Sequence, residues 1–138
     1  MFKQILVPMD GSDHARAALD LAIELADGDA QVNVLGALDA EALMQAPFNA
    51  AIDDESLAAY QRYVDAQLAH VPEAHRGTAV ARYGEPAATV CAAAQEGGAD
   101  VVVMSTHGLG AKGGYALGSV ALKVLQNAPC PVLMRRID

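Results

Sequence analysis

The run Asp100-Val-Val-Val-Met-Ser-Thr106 constrains this chain more than any other feature. Successive side chains of a strand point to opposite faces, so an almost wholly apolar run must be buried on both sides. Parallel sheets sandwiched between helices bury their strands in this way. The rest of the sequence keeps the matching rhythm, with short β-rich runs alternating with helical patterns. Strands are predicted at 4–9 (QILVPM), 31–38 (QVNVLGAL), 78–83 (TAVARY), 100–106 and 130–135 (CPVLMR).

Between them, Leu19, Ala22, Ile23 and Ala26 share one helical face, with Ser12 as N-cap and Gly28 as the stop. Leu57, Tyr60, Val64, Leu68 and Val71 recur at helical spacing until Pro72. A third helix runs through EPAATVCAAAQEG, with Pro86 in its first turn and Gly97 at its end. A fourth covers about Gly118 to Asn127, and Pro129 and Pro131 bracket the turn into the last strand. Residues 40–53 break the pattern and read as a loop with room for a short helix. Strand–helix alternation and right-handed crossovers predict an α/β fold. It is one doubly wound domain over residues 1–138: a five-stranded parallel sheet, order 3-2-1-4-5, with helices on both faces. No repeat, low-complexity tract or second domain is expected.

Composition removes several functional classes. The formal net charge is −8, and no basic cluster exceeds Arg135-Arg136, so a nucleic-acid partner is not expected. No apolar run reaches the ~20 residues of a membrane span, and the N-terminus lacks a signal peptide's long apolar region. Cys91 and Cys130 have no second cysteine two residues away, which suits a cytoplasmic protein with reduced thiols.

The stretch THGLGAKGGYALGS, 106–119, contains Gly108-x-Gly110-x-x-Gly113. A dinucleotide fingerprint needs a helix opening within the motif and an acid ~20 residues on. Here Leu109 to Leu117 hold no sustained helical face, and no acid follows until Asp138. A P-loop fails too, because Lys112 precedes Gly113 and no Gly-Lys-Ser/Thr occurs. What remains is a glycine-rich loop entering a helix at Gly118-Ser119. Its exposed N–H groups suit an anion, or its glycines serve turn geometry alone.

A second constellation, Pro8, Asp10 and Ser12, follows the first strand. Ligands of doubly wound sheets sit beyond the carboxyl strand ends where the winding reverses. In the order 3-2-1-4-5 that reversal lies between the first and fourth strands, so the two segments would face one another. Asp10 then caps the first helix or touches a ribose or metal.

Over essentially its whole length the chain resembles the universal stress protein family. The opening ILVPMDGSDHARAALDLAIELA is similar to the family's first strand and helix, and GSVALKVLQNAPCPVLMRR to its last. Between them stands the nucleotide-binding branch's signature: glycine, two residues, glycine, nine residues, then glycine with Ser or Thr. Here it reads Ser105-Thr106-His107-Gly108, nine residues, Gly118-Ser119, with Ser105 replacing the first glycine. The resemblance implies ATP, or AMP or cAMP, as ligand, with the adenine near Ala37 and Asp10 on the ribose. Gly108, Gly118, Ser119 and Val120 would hold the phosphates, with Ser105 beside them and Pro8, Met9 and Met104 lining the pocket. The family's His-Val-x-Asp at the second strand reads Gly36-Ala37-Leu38-Asp39. Lys112, the only cation of the glycine loop, either neutralises outer phosphates together with Mg²⁺ or is a solvated lysine. The resemblance also implies a homodimer through the final edge strand, with higher assembly open.

Other readings are weaker or rival. His107 lacks an identifiable nucleophile and orienting carboxylate, so local packing is expected; no catalysis is expected beyond slow ATP hydrolysis. His14, His70 and His75 lack metal-ligand spacing and read as solvated helix residues. A phospho-receiver would need clustered acids after the first strand, an Asp after the third and a Lys after the fifth. The chain offers Asp10, Arg82-Tyr83-Gly84 and Arg135. A non-nucleotide interaction module of the same fold is the remaining alternative.

Overall fold

A computed structural model describes residues 2–39, 54–107 and 117–136 of the chain. The expected loop at 40–53 therefore lies outside the described residues. Five strands form a parallel sheet: β1 (Gln4–Met9), β2 (Gln31–Leu38), β3 (Arg76–Tyr83), β4 (Val101–Ser105) and β5 (Val132–Arg135). Their spatial order is β3-β2-β1-β4-β5, as expected from the alternation. The described helices are α1 (Asp13–Leu25), α2 (Asp54–Leu68), α3 (Pro86–Glu96) and α4 (Ser119–Asn127), with a 3-10 turn at Glu73–His75.

Two cores flank the sheet. Ile5, Val7, Met9, Val101 and Val103 pack with Leu19 and Ala22 of α1 and Val64 of α2. Leu6, Leu35, Val102 and Met104 pack with Val90 of α3 and Val124 of α4. Residues of β1 and β4 thus alternate between the two cores, as double burial requires. Each fully buried valine of β4 stabilises the fold by roughly 1.5–3 kcal/mol relative to exposure.

Helix ends depart from the sequence expectation for local reasons. α1 stops at Leu25, not near Gly28: Ala26 is extended, and its N–H bonds the Ala22 and Ile23 carbonyls. Asp27 Oδ1 then accepts from the Gly28 N–H at 2.8 Å, a side-chain bond that competes with further helix. Ser12 caps the start as expected, accepting from the Ala15 N–H. α2 ends at Leu68, before Val71. Pro72 disfavours the helical conformation at the residue before it. Val71 leaves the helix but stays fully buried, and its carbonyl accepts from Arg76 Nη2 at 2.9 Å. β3 starts at Arg76, two residues early. β5 starts at Val132, after Pro131, whose carbonyl accepts from the Val102 N–H.

The two edges of the sheet differ. On β3, Gln61 of α2 donates through Nε2 to the Ala79 carbonyl and accepts through Oε1 from the Ala81 N–H, both at 2.8 Å. An N–H has one bond to give, so Ala81 turns away from β2 and is satisfied by Gln61. One side-chain amide thus takes the place of a neighbouring strand's peptide, a device that blunts an edge. β5 pairs with β4 along Val102–Val132 to Ser105–Arg135 and is the opposite edge.

At the amino ends of the strands, Asp100 Oδ2 accepts from the N–H groups of Lys3 (2.7 Å) and Gln4 (2.8 Å). These two amides, Gln4's foremost, hold its carboxyl below the usual carboxylate value. A depressed native pKa gives stability that is present above the unfolded value and lost as pH falls through the native one. Asp100→Asn should therefore be less stable than wild type at neutral pH, with the gap closing below about pH 3.9. Urea unfolding at several pH values checks this; a gap that persists in acid would contradict the charge-assisted staple.

Candidate functional site

The winding reverses between β1 and β4, where the sheet order predicts a crevice at the carboxyl ends. The β1–β4 ladder is registered at Ile5–Val101 and Leu6–Val102, whereas β1–β2 pairing runs on to Met9–Gly36. Pro8 has no N–H to give to either neighbour. The carboxyl half of β1 therefore stays with β2 rather than β4, and the seam between β1 and β4 is the open one.

Asp10 and Ser12 stand just beyond β1. Asp10 Oδ1 accepts from the Ser12 N–H (3.0 Å) and from the Ser12 hydroxyl (2.5 Å), while Ser12 Oγ accepts from Ala15 N–H (3.1 Å). Asp10 thus acts through Ser12 on the helix start and does not cap it directly. Gly11 between them has φ +85°, a left-handed conformation that favours glycine.

Across the seam, Ser105 and Thr106 are buried. The Ser105 hydroxyl donates to the His107 carbonyl, so the residue that departs from the glycine signature turns its hydroxyl onto its own loop. Thr106 N–H donates to the Arg135 carbonyl at 3.1 Å, and Thr106 Oγ1 lies 3.1 Å from His107 Nδ1. His107 is engaged locally, as expected. The Thr106 carbonyl accepts from the Gly118 N–H at 2.8 Å. That bond draws the start of α4 against the end of β4.

Gly118 is the N-cap of α4 and offers no side-chain bond to the first turn. Leu122 N–H reaches the Gly118 carbonyl (3.0 Å), so the amides of Ser119, Val120 and Ala121 precede the first intrahelical bond. These amides and the positive end of the helix dipole suit an anion. Ser119 is exposed and Val120 half-buried. Gly108 and Lys112 lie outside the described residues.

The remaining expected residues are spread around this seam. Met9 is buried in the core beneath α1 and α2, which turns its side chain away from a pocket-lining place. Pro8 is half-buried, Met104 lies in the opposite core, and Ala37 is half-buried at the end of β2. No group of three or more His, Cys, Asp or Glu residues able to hold a metal occurs among the described residues. The three outlying histidines differ from one another. His70 is exposed, whereas His75 belongs to the 3-10 turn, with Nδ1 2.8 Å from the Ala30 carbonyl. His14 is half-buried, and its Nδ1 has no partner among the described residues. The last two are therefore not solvated helix residues.

Sequence reasoning missed two tyrosines. From α2, Tyr60 donates its hydroxyl to the Met9 carbonyl, and the Tyr63 hydroxyl accepts from the Gly11 N–H, both at 2.9 Å. Their rings meet edge to face at 5.3 Å. Burial is the main cause that raises both phenol pKa values, with Asp10 adding to each, so both hydroxyls stay protonated at neutral pH. A Cβ on Gly36 would overlap the Tyr60 ring, which explains the glycine at that place in β2. Helical spacing had marked Tyr60 as core; nothing in the sequence tied it to Met9.

A separate groove of ≈ 320 Å³ lies over β1, β2 and β3 beside α3. Its polar groups are largely engaged with one another: Asn33 with Gln4 and Thr78, and Arg82 with Glu96 at 3.1 Å. It lies along the sheet face, away from the seam, and is not the candidate site.

Gly118 has a packing reason to be glycine. A Cβ there would sit 3.3 Å from the Thr106 carbonyl oxygen and 3.6 Å from His107 Cα. Gly118→Val should therefore lose about 1–3 kcal/mol of stability through overpacking, and Gly118→Ala much less. Denaturant unfolding compares the two; a valine variant as stable as wild type would show that β4 and α4 are not tightly apposed.

Comparison with known proteins agrees with this architecture. The universal stress protein family model matches residues 1–136. The chain is 38% identical over 144 residues to the universal stress protein in the QAH/OAS sulfhydrylase 3′ region of Thermus aquaticus, covering 99% of this chain and 100% of that one. In three dimensions it resembles the hypothetical protein MJ0577 with a TM-score of 0.88 at 21% identity, over 100% and 98% of the two chains. The universal stress protein of Archaeoglobus fulgidus, solved with dAMP, gives a TM-score of 0.70 at 22% identity, over 96% of each chain. Two further similar folds were solved with cAMP and, from Arabidopsis thaliana, with AMP bound. Together the family match and the shared fold establish that the chain belongs to the universal stress protein family.

Proposed function

We propose that this chain binds adenine nucleotides, ATP foremost, and acts as a nucleotide-dependent regulatory module of the cytoplasm rather than as an enzyme. The observation that carries the reading is the Gly118 N–H bond to the Thr106 carbonyl. It brings the first-turn amides of α4 to the end of β4, across the β1–β4 seam from Asp10. Relatives of the same fold that hold AMP, dAMP or cAMP support the ligand class.

In this reading Asp10 receives the ribose hydroxyls, and the amides of Ser119 and Val120, with Gly108 and Gly118, receive the phosphates. The adenine lies near Ala37, against main chain of Pro8 and Met9 and beside Met104. Ser105 shapes the turn without giving its hydroxyl to the ligand. Lys112 and Mg²⁺ offset the outer phosphates. Slow hydrolysis is the most chemistry the arrangement supports, because no described nucleophile stands with a base and an orienting carboxylate.

Isothermal titration with ATP and AMP tests the site. Because Gly118→Val also strains the fold, Ser119→Ala is the cleaner probe: its hydroxyl would be a charge-assisted donor worth about 1–3 kcal/mol of affinity. Lys112→Ala should weaken ATP more than AMP, since AMP lacks the outer phosphates. Equal losses for both nucleotides would remove Lys112 from the site. Wild-type protein that binds neither nucleotide would favour the interaction-module alternative.

The same reading includes a homodimer through β5. Gln61 occupies the β3 edge, which leaves the β5 end of the sheet for a second copy. Leu133 of β5 is 38% exposed, and Leu122 and Leu125 of α4 are exposed apolar residues as well. Leu133→Lys should shift the protein to monomer in sedimentation equilibrium while its melting curve remains cooperative. A wild-type monomer at micromolar concentration would reject this assembly.

A further inference from the structure

We propose that Tyr60 and Tyr63 are positioning residues that hold the Asp10 carboxylate where a ligand's ribose hydroxyls can reach it. The inference rests on the nucleotide-binding reading above and adds to it two residues outside the expected site. Asp10 sits between the two anchored main-chain groups: the Met9 carbonyl takes the Tyr60 hydroxyl, and the Gly11 N–H gives to the Tyr63 hydroxyl, each at 2.9 Å. The turn is thus gripped immediately before and immediately after the carboxylate.

Gly11 explains why a grip is useful. A left-handed glycine has many alternative conformations open to it, and an unheld turn would sample them. Affinity for a ligand increases when the contacting group is ordered before the ligand arrives. The base of the grip is itself fixed. Gln61, between the two tyrosines in sequence, ties the same turn of α2 to Ala79 and Ala81 of β3. Gly36 leaves the space that the Tyr60 ring fills, and the two rings brace each other edge to face. On its other side the Asp10 carboxylate is held by the Ser12 N–H and hydroxyl. Orientation from α1 and backbone restraint from α2 therefore converge on one side chain.

Phenylalanine keeps each ring and deletes only the hydroxyl, so Tyr60→Phe and Tyr63→Phe are the probes. Affinities for ATP and for 2′,3′-dideoxy-ATP are measured by titration, and Gly11 amide exchange is followed by NMR in the absence of nucleotide. The expected result for Tyr63→Phe is faster Gly11 exchange and an ATP affinity about three- to tenfold weaker, the loss of one hydrogen bond. Binding of the dideoxy nucleotide should hardly change, because it has no ribose hydroxyl for Asp10 to meet. A merely structural role would weaken both nucleotides alike and would overturn the proposal. So would Phe variants that bind ATP as wild type does, an outcome that leaves the nucleotide reading standing. Wild-type protein that binds ATP and its dideoxy analogue equally well would remove Asp10 from the ribose and overturn the proposal too. Failure of wild type to bind either nucleotide would sink the nucleotide reading first, and this inference with it.

Discussion

Burial of β1 and β4 on both faces is the constraint on which the rest of this structure depends. Their side chains alternate between two helix-covered cores, and charge is excluded from such strands unless it is paired. Polar chemistry is therefore displaced to the strand ends. Asp100 serves the amino ends, where it staples β4 to β1. Asp10, Ser12, Thr106 and Gly118 gather at the carboxyl ends. The two ends differ because at the carboxyl ends the connections that leave β1 and β4 lead to opposite edges of the sheet.

Pro8 sharpens that difference. A proline is uncommon in a central strand because it removes a ladder bond. Here it falls on the last turn of the pleat before the switch point, where β1 continues beside β2 and its registered pairing with β4 has already ended. The cost of an interrupted ladder is offset by bonds made outside the sheet. Tyr60 takes the Met9 carbonyl, Tyr63 takes the Gly11 amide, and Thr106 bridges from β5 to the start of α4. One turn of α2 thus serves two tasks, restraining the loop with its tyrosines and closing the β3 edge with Gln61.

Much of the fold was legible in the sequence, and the reason is periodicity. The apolar run of β4, the helical face of α1 and Pro86 at the start of α3 each carry a local signal that packing reinforces. Helix ends were less legible, because they depend on competing local bonds: Asp27 with Gly28 at the end of α1, and Pro72 acting on Val71 at the end of α2. Within the site, Asp10 and the Gly118-Ser119 pair stood out by their place after a strand and before a helix. Met9 had been assigned a pocket-lining part, but strand parity turns its side chain into the core. Ser105, which stands where the signature has its first glycine, gives its hydroxyl to the His107 carbonyl.

The sequence by itself determined the family, the strand–helix order, the parallel sheet and the segments that meet at the switch point. The family follows from the chain's likeness to a known one, and the other properties follow from local periodicity and turn chemistry written along the chain. Only the tertiary structure decided which groups hold those segments in place. The bonds from Tyr60 to Met9, from Gly11 to Tyr63 and from Gly118 to Thr106 join residues that are far apart in the sequence. A hydrogen bond depends on a few tenths of an ångström and on angle, and no periodicity along a chain encodes either.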